Sequence, residues 1–142
     1  MPTLRRLRDL SDFEVATGQP DVRGWTVRGS DGKPLGQVYE LIIDPEALKV
    51  RYLDIELNAQ NARSSHEAHI LLPIGVANLD AEADNVFVPG LNQLTVKDYP
   101  PYIELQITRE YEEAMLRALG KTPVEGDFYA RHSYDAGAFY SR

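Results

Sequence analysis

The chain contains no cysteine among its 142 residues. Disulfides, thiolate metal sites and cysteine nucleophiles are therefore excluded. The absence fits a reducing compartment, and we expect a cytoplasmic protein. No apolar run approaches the ~20 residues that a spanning helix needs, and the first ten residues lack the apolar segment of a secretory signal. We expect no transmembrane segment.

Positive charge is also scarce, because 15 Lys and Arg face 22 Asp and Glu, for a formal net charge of −7. Nucleic-acid binding depends on clustered Lys and Arg, so we expect no nucleic-acid partner. The one basic cluster, Arg5, Arg6 and Arg8, lies among acidic residues in a lead-in segment, 1–19. Packing of this segment on the following domain is favoured over contact with anionic lipid headgroups.

Residues 23–57 predict three consecutive strands, at 25–28, 35–43 and 49–57, joined by two tight turns. Asp31 and Gly32 form the first turn, because an Asp-Gly pair tolerates the positive φ that hairpin turns demand. Gly36 within the second strand predicts a bulge or a close backbone approach. Asp44 opens the second turn, with a proline after it to set the corner.

The third strand alternates regularly, which places successive side chains on opposite faces. One face carries Val50, Tyr52, Asp54 and Glu56, and the other carries Arg51, Leu53, Ile55 and Leu57. Such a meander exposes strand edges unless more strands close it, so a small barrel is the natural completion.

Further elements follow along the chain. We predict strands at 69–74 and 85–88, an acidic connection at 77–84, and a short turn or irregular sixth strand at 91–96. A helix is predicted over 108–119, because Thr108 suits an N-cap and Gly120 a stop. The predicted barrel core is Leu35, Val38, Leu41, Ile43, Leu53, Ile55, Leu72, Val86 and Val88.

The predicted fold class is therefore mostly β: a small barrel of five or six strands, one C-terminal α-helix and an aromatic tail. We divide the chain into the lead-in at 1–19, a barrel domain at 20–107, and the helix and tail at 108–142.

The hairpin region also carries a resemblance to a known family. The matching residues are Gly24, Val27, Asp31, Gly32, Leu35, Gly36, Val38, Leu41, Ile43 and Asp44, followed by the unbroken run 50–57. In this register they resemble the PRC-barrel family, named after the cytoplasmic domain of the H subunit of purple-bacterial photosynthetic reaction centres. The resemblance spans roughly residues 20–130 and does not include that subunit's membrane anchor.

The resemblance implies three functions. The favoured one is a non-enzymatic protein-interaction or assembly module. The second is an RNA-processing or ribosome-maturation adaptor, since such barrels occur in a ribosome maturation factor. The third is a proton-conducting or electron-transfer accessory protein, in which Asp54 and Glu56 would be relay carboxylates; otherwise these two form a solvated or ion-paired face near Lys49 and Arg51.

The residues themselves show no catalytic set. His66, Glu67 and His69 suggest a metal site, but histidines three apart at the entry to a strand point to opposite faces. We expect no enzymatic activity, no cofactor and no tightly bound metal.

Aromatic residues suggest an interface. Tyr99 and Tyr102 flank two prolines in an exposed-looking crossing, which suits a protein interface and equally suits a clasp over the barrel end. The tail carries Phe128, Tyr129, Tyr134, Phe139 and Tyr140. We expect residues 124–130 to fold back on the barrel and residues 134–140 to reach a neighbour, in a homo-oligomer for which a dimer is the favoured state. The sequence does not name a further protein partner.

Overall fold

A computed structural model describes residues 4–7, 21–47, 49–62, 64, 67–80, 82–103, 107–120, 134 and 136–140. Within this part of the chain, seven strands form one curled half-barrel sheet, in the order β5-β4-β3-β2-β7-β6, with β1 on β3. The strands are β1 (Arg5–Arg6), β2 (Thr26–Arg28), β3 (Pro34–Asp44), β4 (Lys49–Leu57), β5 (His69–Pro73), β6 (Asn78–Asp80) and β7 (Asn85–Phe87). The helices are α1 (Arg109–Ala118) and α2 (Ala136–Tyr140), with 3-10 turns at Ile74–Val76 and Thr95–Asp98.

The long strand β3 organises the sheet. It pairs antiparallel with β4 along one edge, and with β2 and then β1 along the other. Two register shifts interrupt the β3–β4 ladder, one at Tyr39 and one at Arg51. Each extra residue bends its strand and increases the local twist, which is how an eleven-residue strand follows a curled sheet.

The strand predictions hold to within a residue or two, and β4 spans the predicted 49–57. Two strands were missed. Arg5–Arg6 pairs with β3, so residues 4–7 of the lead-in pack on the sheet, with Leu7 buried. Asn78–Asp80 forms β6 within the predicted acidic connection, where three residues are too few to show alternation. Residues 95–98 form a 3-10 turn and not a sixth strand.

The predicted core is confirmed, since all nine of its members are buried. On β4 the burial extends to both faces: Leu53 and Ile55 lie in the curled interior, while Tyr52 and Asp54 on the outer face are buried as well. The outer face is covered because α1 and the C-terminal residues pack over it. A covered outer face is what allows polar side chains of β4 to be held away from water.

The helix predicted over 108–119 is present as α1, and the Thr108 side chain accepts a hydrogen bond from the Tyr111 amide at its N-terminus. Gly120 ends it with a φ of +76°. The five-residue α2 was not predicted; it packs against β4, β6 and the turn Ile74–Val76. Neither described helix is long and apolar enough to cross a membrane.

Replacing Gly32 tests the hairpin turn. Gly32 has a φ of +77° and open space where a Cβ would lie, so backbone conformation alone restricts the position. Gly32→Val is expected to lower the free energy of unfolding by about 1–3 kcal/mol. Gly32→Asn, which tolerates this conformation, should lose clearly less in the same denaturant titration. Equal stability of all three chains would contradict the turn.

Candidate functional site

A histidine and two carboxylates meet on the outer face of β4 and β5. His69 lies directly opposite Glu56 in the β4–β5 ladder. Its Nδ1 lies 2.7 Å from Asp54 Oδ1, and its Nε2 lies 3.7 Å from Glu56 Oε2. The Asp54 side chain is 5% exposed, whereas Glu56 is 43% exposed. The arrangement runs from a buried carboxylate through an imidazole to a carboxylate in solvent.

Apolar and aromatic surface surrounds this cluster. Three large hydrophobic residues among those described are exposed: Tyr39 (39%), Leu94 (82%) and Ile103 (61%). The Tyr39 ring stands edge-on to His69, with the ring centroids 4.9 Å apart. The Tyr102 amide donates a hydrogen bond to the His69 carbonyl, which brings Ile103 beside the strand. We call Tyr39, Glu56, His69, Tyr102 and Ile103 the His69 patch.

The bulge in β3 places Tyr39 in the patch. Val38 pairs with Ile55 and Glu40 pairs with Asp54, so Tyr39 is the extra residue between two paired positions. Bulges commonly redirect a side chain in this way. A tyrosine within a strand carries no sequence signal for a bulge, so the one at Tyr39 was not predicted; the close backbone approach expected at Gly36 is present against the Glu56 carbonyl.

The electrostatics of the patch centre on Asp54. Burial raises the pKa of Tyr102, the Asp54 carboxylate adds to the increase, and Arg6 partly opposes it. The expectation was a solvated or ion-paired face near Lys49 and Arg51; at Asp54 the carboxylate is buried, not solvated, and its hydrogen-bond partner is His69. Arg51 lies instead 3.6 Å from Asp44. Asp44 also accepts hydrogen bonds from the amides of the turn that follows it.

The open edge of β5 is covered by tyrosines. The Tyr99 hydroxyl donates a hydrogen bond to the Leu71 carbonyl at 2.5 Å, and the Tyr102 amide donates one to the His69 carbonyl. The Tyr111 hydroxyl interacts with the Leu71 backbone and donates to the Pro100 carbonyl. An exposed strand edge invites pairing with another chain, so this cover blocks strand addition at β5. Tyr99 is thus buried in its own chain, which agrees with a clasp over the barrel and not with an exposed interface, while Tyr102 is half-buried.

Comparison with known protein families identifies the barrel. The PRC-barrel domain model matches residues 14–94, more than half of the chain. The chain belongs to the PRC-barrel family. The match includes β2 to β7, and therefore Tyr39, Asp54, Glu56 and His69. The crossing at Tyr102 and Ile103 lies beyond it, so the patch joins PRC-barrel strands to a segment outside the matched range.

A second polar cluster fastens the C-terminal residues to the PRC barrel. The Tyr52 hydroxyl donates to Glu112 Oε2 at 2.5 Å and lies 2.6 Å from the Tyr134 hydroxyl. Glu112 is fully buried, with Arg109 Nε 3.3 Å from its other oxygen. Burial, together with Tyr134 and Glu112, raises the pKa of Tyr52 well above its ordinary value. The cluster joins β4, α1 and the tail beneath the surface of the folded chain, where a partner protein would not contact it.

This packing changes the interface prediction for the tail. Tyr134 and Phe139 are buried within the chain and Tyr140 is half-buried, so the first two side chains contact their own barrel. The physical reason is that α2 packs against β4 and the turn Ile74–Val76 of its own chain. Phe128 and Tyr129 lie outside the described residues, and the dimer stays a prediction.

The metal hypothesis concerned His66, Glu67 and His69. Within the described ranges, no three His, Cys, Asp or Glu side chains group in a way that could hold a metal ion. His66 lies outside those ranges, and His69 is engaged with Asp54. The expectation that no metal binds tightly there stays a prediction.

The sequence singled out His69, Asp54 and Glu56 separately but did not bring them together. An eleven-residue connection, 58–68, separates β4 from β5, so the turn could not fix the register. Charge was the one available signal for pairing them, because Glu56 is negative and a protonated histidine is positive. Glu40 and Glu112 were missed as buried groups, because a lone Glu in a strand or helix has the sequence pattern of a solvated face.

Proposed function

We propose that this PRC barrel is a non-enzymatic interaction module that docks a partner protein through the His69 patch. The observation that carries the proposal is the position of the exposed apolar side chains. Tyr39, one of the three large hydrophobic residues exposed among those described, stands against the partly exposed His69 ring, and Ile103, another, follows Tyr102, whose amide binds the His69 carbonyl. Exposed apolar residues next to polar groups are typical of binding surfaces.

The rest of the described surface supports this location. The β5 edge is covered by tyrosines, and the aromatic residues at 134–140 are turned inward. Strand addition at β5 and docking through the tail are therefore poorly suited to a partner. Leu94 is exposed alone, on the loop at Asn92–Thr95 that packs on the β2–β3 hairpin.

Ile103→Asp tests the proposal. It removes apolar surface and adds a negative charge beside Glu56, so partner capture from the native host should fall roughly tenfold or more. If the partner is a second copy of the chain, sedimentation velocity at high micromolar concentration should show a shift to monomer. Leu94→Asp is the matched control, because it makes the same change at an even more exposed residue.

The expected result is a partner, or a self-association, that is lost in Ile103→Asp and kept in Leu94→Asp. Circular dichroism of both variants should match that of the unmodified chain, since neither side chain is in the core. Binding that is indifferent to Ile103, or lost equally in both variants, would contradict docking through the patch.

A second candidate is an accessory role in moving protons for a partner complex. The observation favouring it is the 2.7 Å contact between Asp54 and His69, with Glu56 next in reach at the surface. Imidazole and carboxylate groups within reach of one another can pass protons. Asp54→Asn should then slow a proton-consuming partner while the chain stays bound; unchanged turnover would exclude the role.

A further inference from the structure

The Glu56 carboxylate is only lightly engaged within the chain. Its contacts are the Gln37 side-chain amide, 3.4 Å from Oε1, and His69 Nε2, 3.7 Å from Oε2. Both distances are long for hydrogen bonds to a carboxylate, which are usually below 3 Å. With 43% of the side chain exposed, the carboxylate has acceptor positions directed to solvent.

The tautomer of His69 explains the long distance to Glu56. An ionised carboxylate only accepts hydrogen bonds, so Nδ1, 2.7 Å from Asp54, carries a hydrogen. In the neutral imidazole, Nε2 is then an acceptor and presents a lone pair to Glu56. Neutral His69 therefore orients toward Asp54 and leaves Glu56 without a donor on that side.

We propose that Glu56, paired with His69 in the patch that Tyr39 borders, binds a cationic side chain of the docked partner, and that protonation of His69 opposes this binding. The inference rests on the proposed docking function and names the chemistry recognised there. A guanidinium fits best, because its planar face packs on an aromatic ring while its N–H groups bond a carboxylate. Ile103, which follows Tyr102 in the crossing, adds exposed apolar surface to the patch, so we expect an apolar residue next to that cation.

The proton linkage follows from the same geometry. When His69 is protonated, Nε2–H becomes a donor aimed at Glu56, and a positive charge lies within 4 Å of the carboxylate. The incoming cation then competes with an internal one. Affinity should therefore be lower when His69 is protonated than when it is neutral.

Among the described residues, the groups around His69 come from β4, β3, β1 and the crossing at Tyr102. Asp54 and Glu56 lie on β4, Tyr39 on β3, and Tyr102 on the crossing that pairs with β5. Arg6 of β1 acts on Tyr102 from the same side. Of these, Glu56 is the carboxylate exposed to a partner, so the charge that a partner meets depends on Glu56 and His69.

The test is binding of a small probe to the full chain. The probe is the peptide acetyl-Leu-Arg-Trp-amide, and its neutral match carries citrulline in place of arginine. Amide chemical shifts should report saturable binding at β4 and β5, with the citrulline peptide about threefold to fivefold weaker at pH 8. Arginine binding, followed in a pH series, should be about threefold weaker with His69 protonated than with His69 neutral.

Variants separate the two parts of the inference. Glu56→Gln should abolish the preference for arginine, whereas Glu46→Gln, an exposed residue at the opposite end of β4, should keep it. His69→Gln should keep the preference and remove its pH dependence. A preference that depends equally on pH in His69→Gln would overturn the proton linkage.

Failure of the inference is distinguishable from failure of the docking function. Equal binding of the arginine and citrulline peptides, or no saturable binding of either, overturns the cation site. If both peptides bind equally and both weaken in Ile103→Asp, the patch docks apolar segments and the proposed function stands.

Discussion

Gly36→Ala is expected to be among the most damaging single substitutions in the chain. A Cβ at Gly36 would lie 2.0 Å from the Glu56 carbonyl oxygen and 2.8 Å from Leu57 Cα. Both atoms belong to the backbone of β4, so no side-chain rotation relieves the overlap. Relief requires β3 and β4 to separate where they are paired, which breaks ladder hydrogen bonds. We expect a loss on the order of 4 kcal/mol.

Gly90→Ala is the matched control, because the same methyl group would meet only the end of the Leu119 side chain, at 3.3 Å. It should lose no more than about 1 kcal/mol. Urea titration with circular dichroism measures both. Because Gly36 lies opposite Leu57, one residue from Glu56, partial folding of Gly36→Ala should also weaken partner binding at the His69 patch. A Gly36→Ala chain as stable as Gly90→Ala would show that the strands are not this close.

The hairpins from β2 to β4 could be predicted because their information is local. Turn residues and alternation over nine residues of β4 fix both the pairing and the buried face. The same reasoning gave the core, since barrel strands carry apolar residues wherever they face the interior. The N-cap at Thr108 is equally local.

What could not be predicted depends on contacts distant in sequence. The outer face of β4 has the alternation of a solvated face, yet Tyr52 and Asp54 are buried because α1, α2 and Tyr134 pack over this face. No period in the sequence encodes that cover. For the same reason the tail aromatics were assigned to a neighbour: composition shows that they must be covered, but not by what.

The candidate site contains residues of both kinds, some identified from the local sequence and some that depend on contacts distant in sequence. Asp54 and Glu56 were identified through the strand motif, and His69 through its residue type. Tyr39 and Ile103 could not be identified, because one depends on a bulge and the other on a crossing that meets β5. Exposure of an apolar side chain is a property of the folded surface, so only the structure reveals the patch.

Buried tyrosines should make the chain unusually sensitive to alkali. Burial raises the pKa of Tyr52 and Tyr99 well above 10, and raises that of Tyr140 to about 12 with help from Asp21. A phenol whose pKa is higher in the folded chain stabilises the fold below the unfolded value of about 10, and this stabilisation is lost as pH rises further. Tyr52 and Tyr99 alone should reduce the free energy of unfolding by about 2.7 kcal/mol per pH unit above pH 10.

Tyr99→Phe isolates one of these contributions. Below pH 9 the variant should be about 1 kcal/mol less stable, because the Leu71 carbonyl loses the Tyr99 hydroxyl. At pH 11 the unmodified chain has lost about 1.4 kcal/mol through Tyr99, whereas the variant has no phenol to ionise there, so the two stabilities should converge. Leu53→Val removes a buried methylene without a titrating group, and its deficit should be the same at both pH values. Urea titrations at pH 8 and pH 11 give the stability deficit of each variant, relative to the unmodified chain, at each pH. A Tyr99→Phe deficit that stays constant, as in Leu53→Val, would mean that the Tyr99 phenol ionises as readily in the folded chain as in the unfolded one.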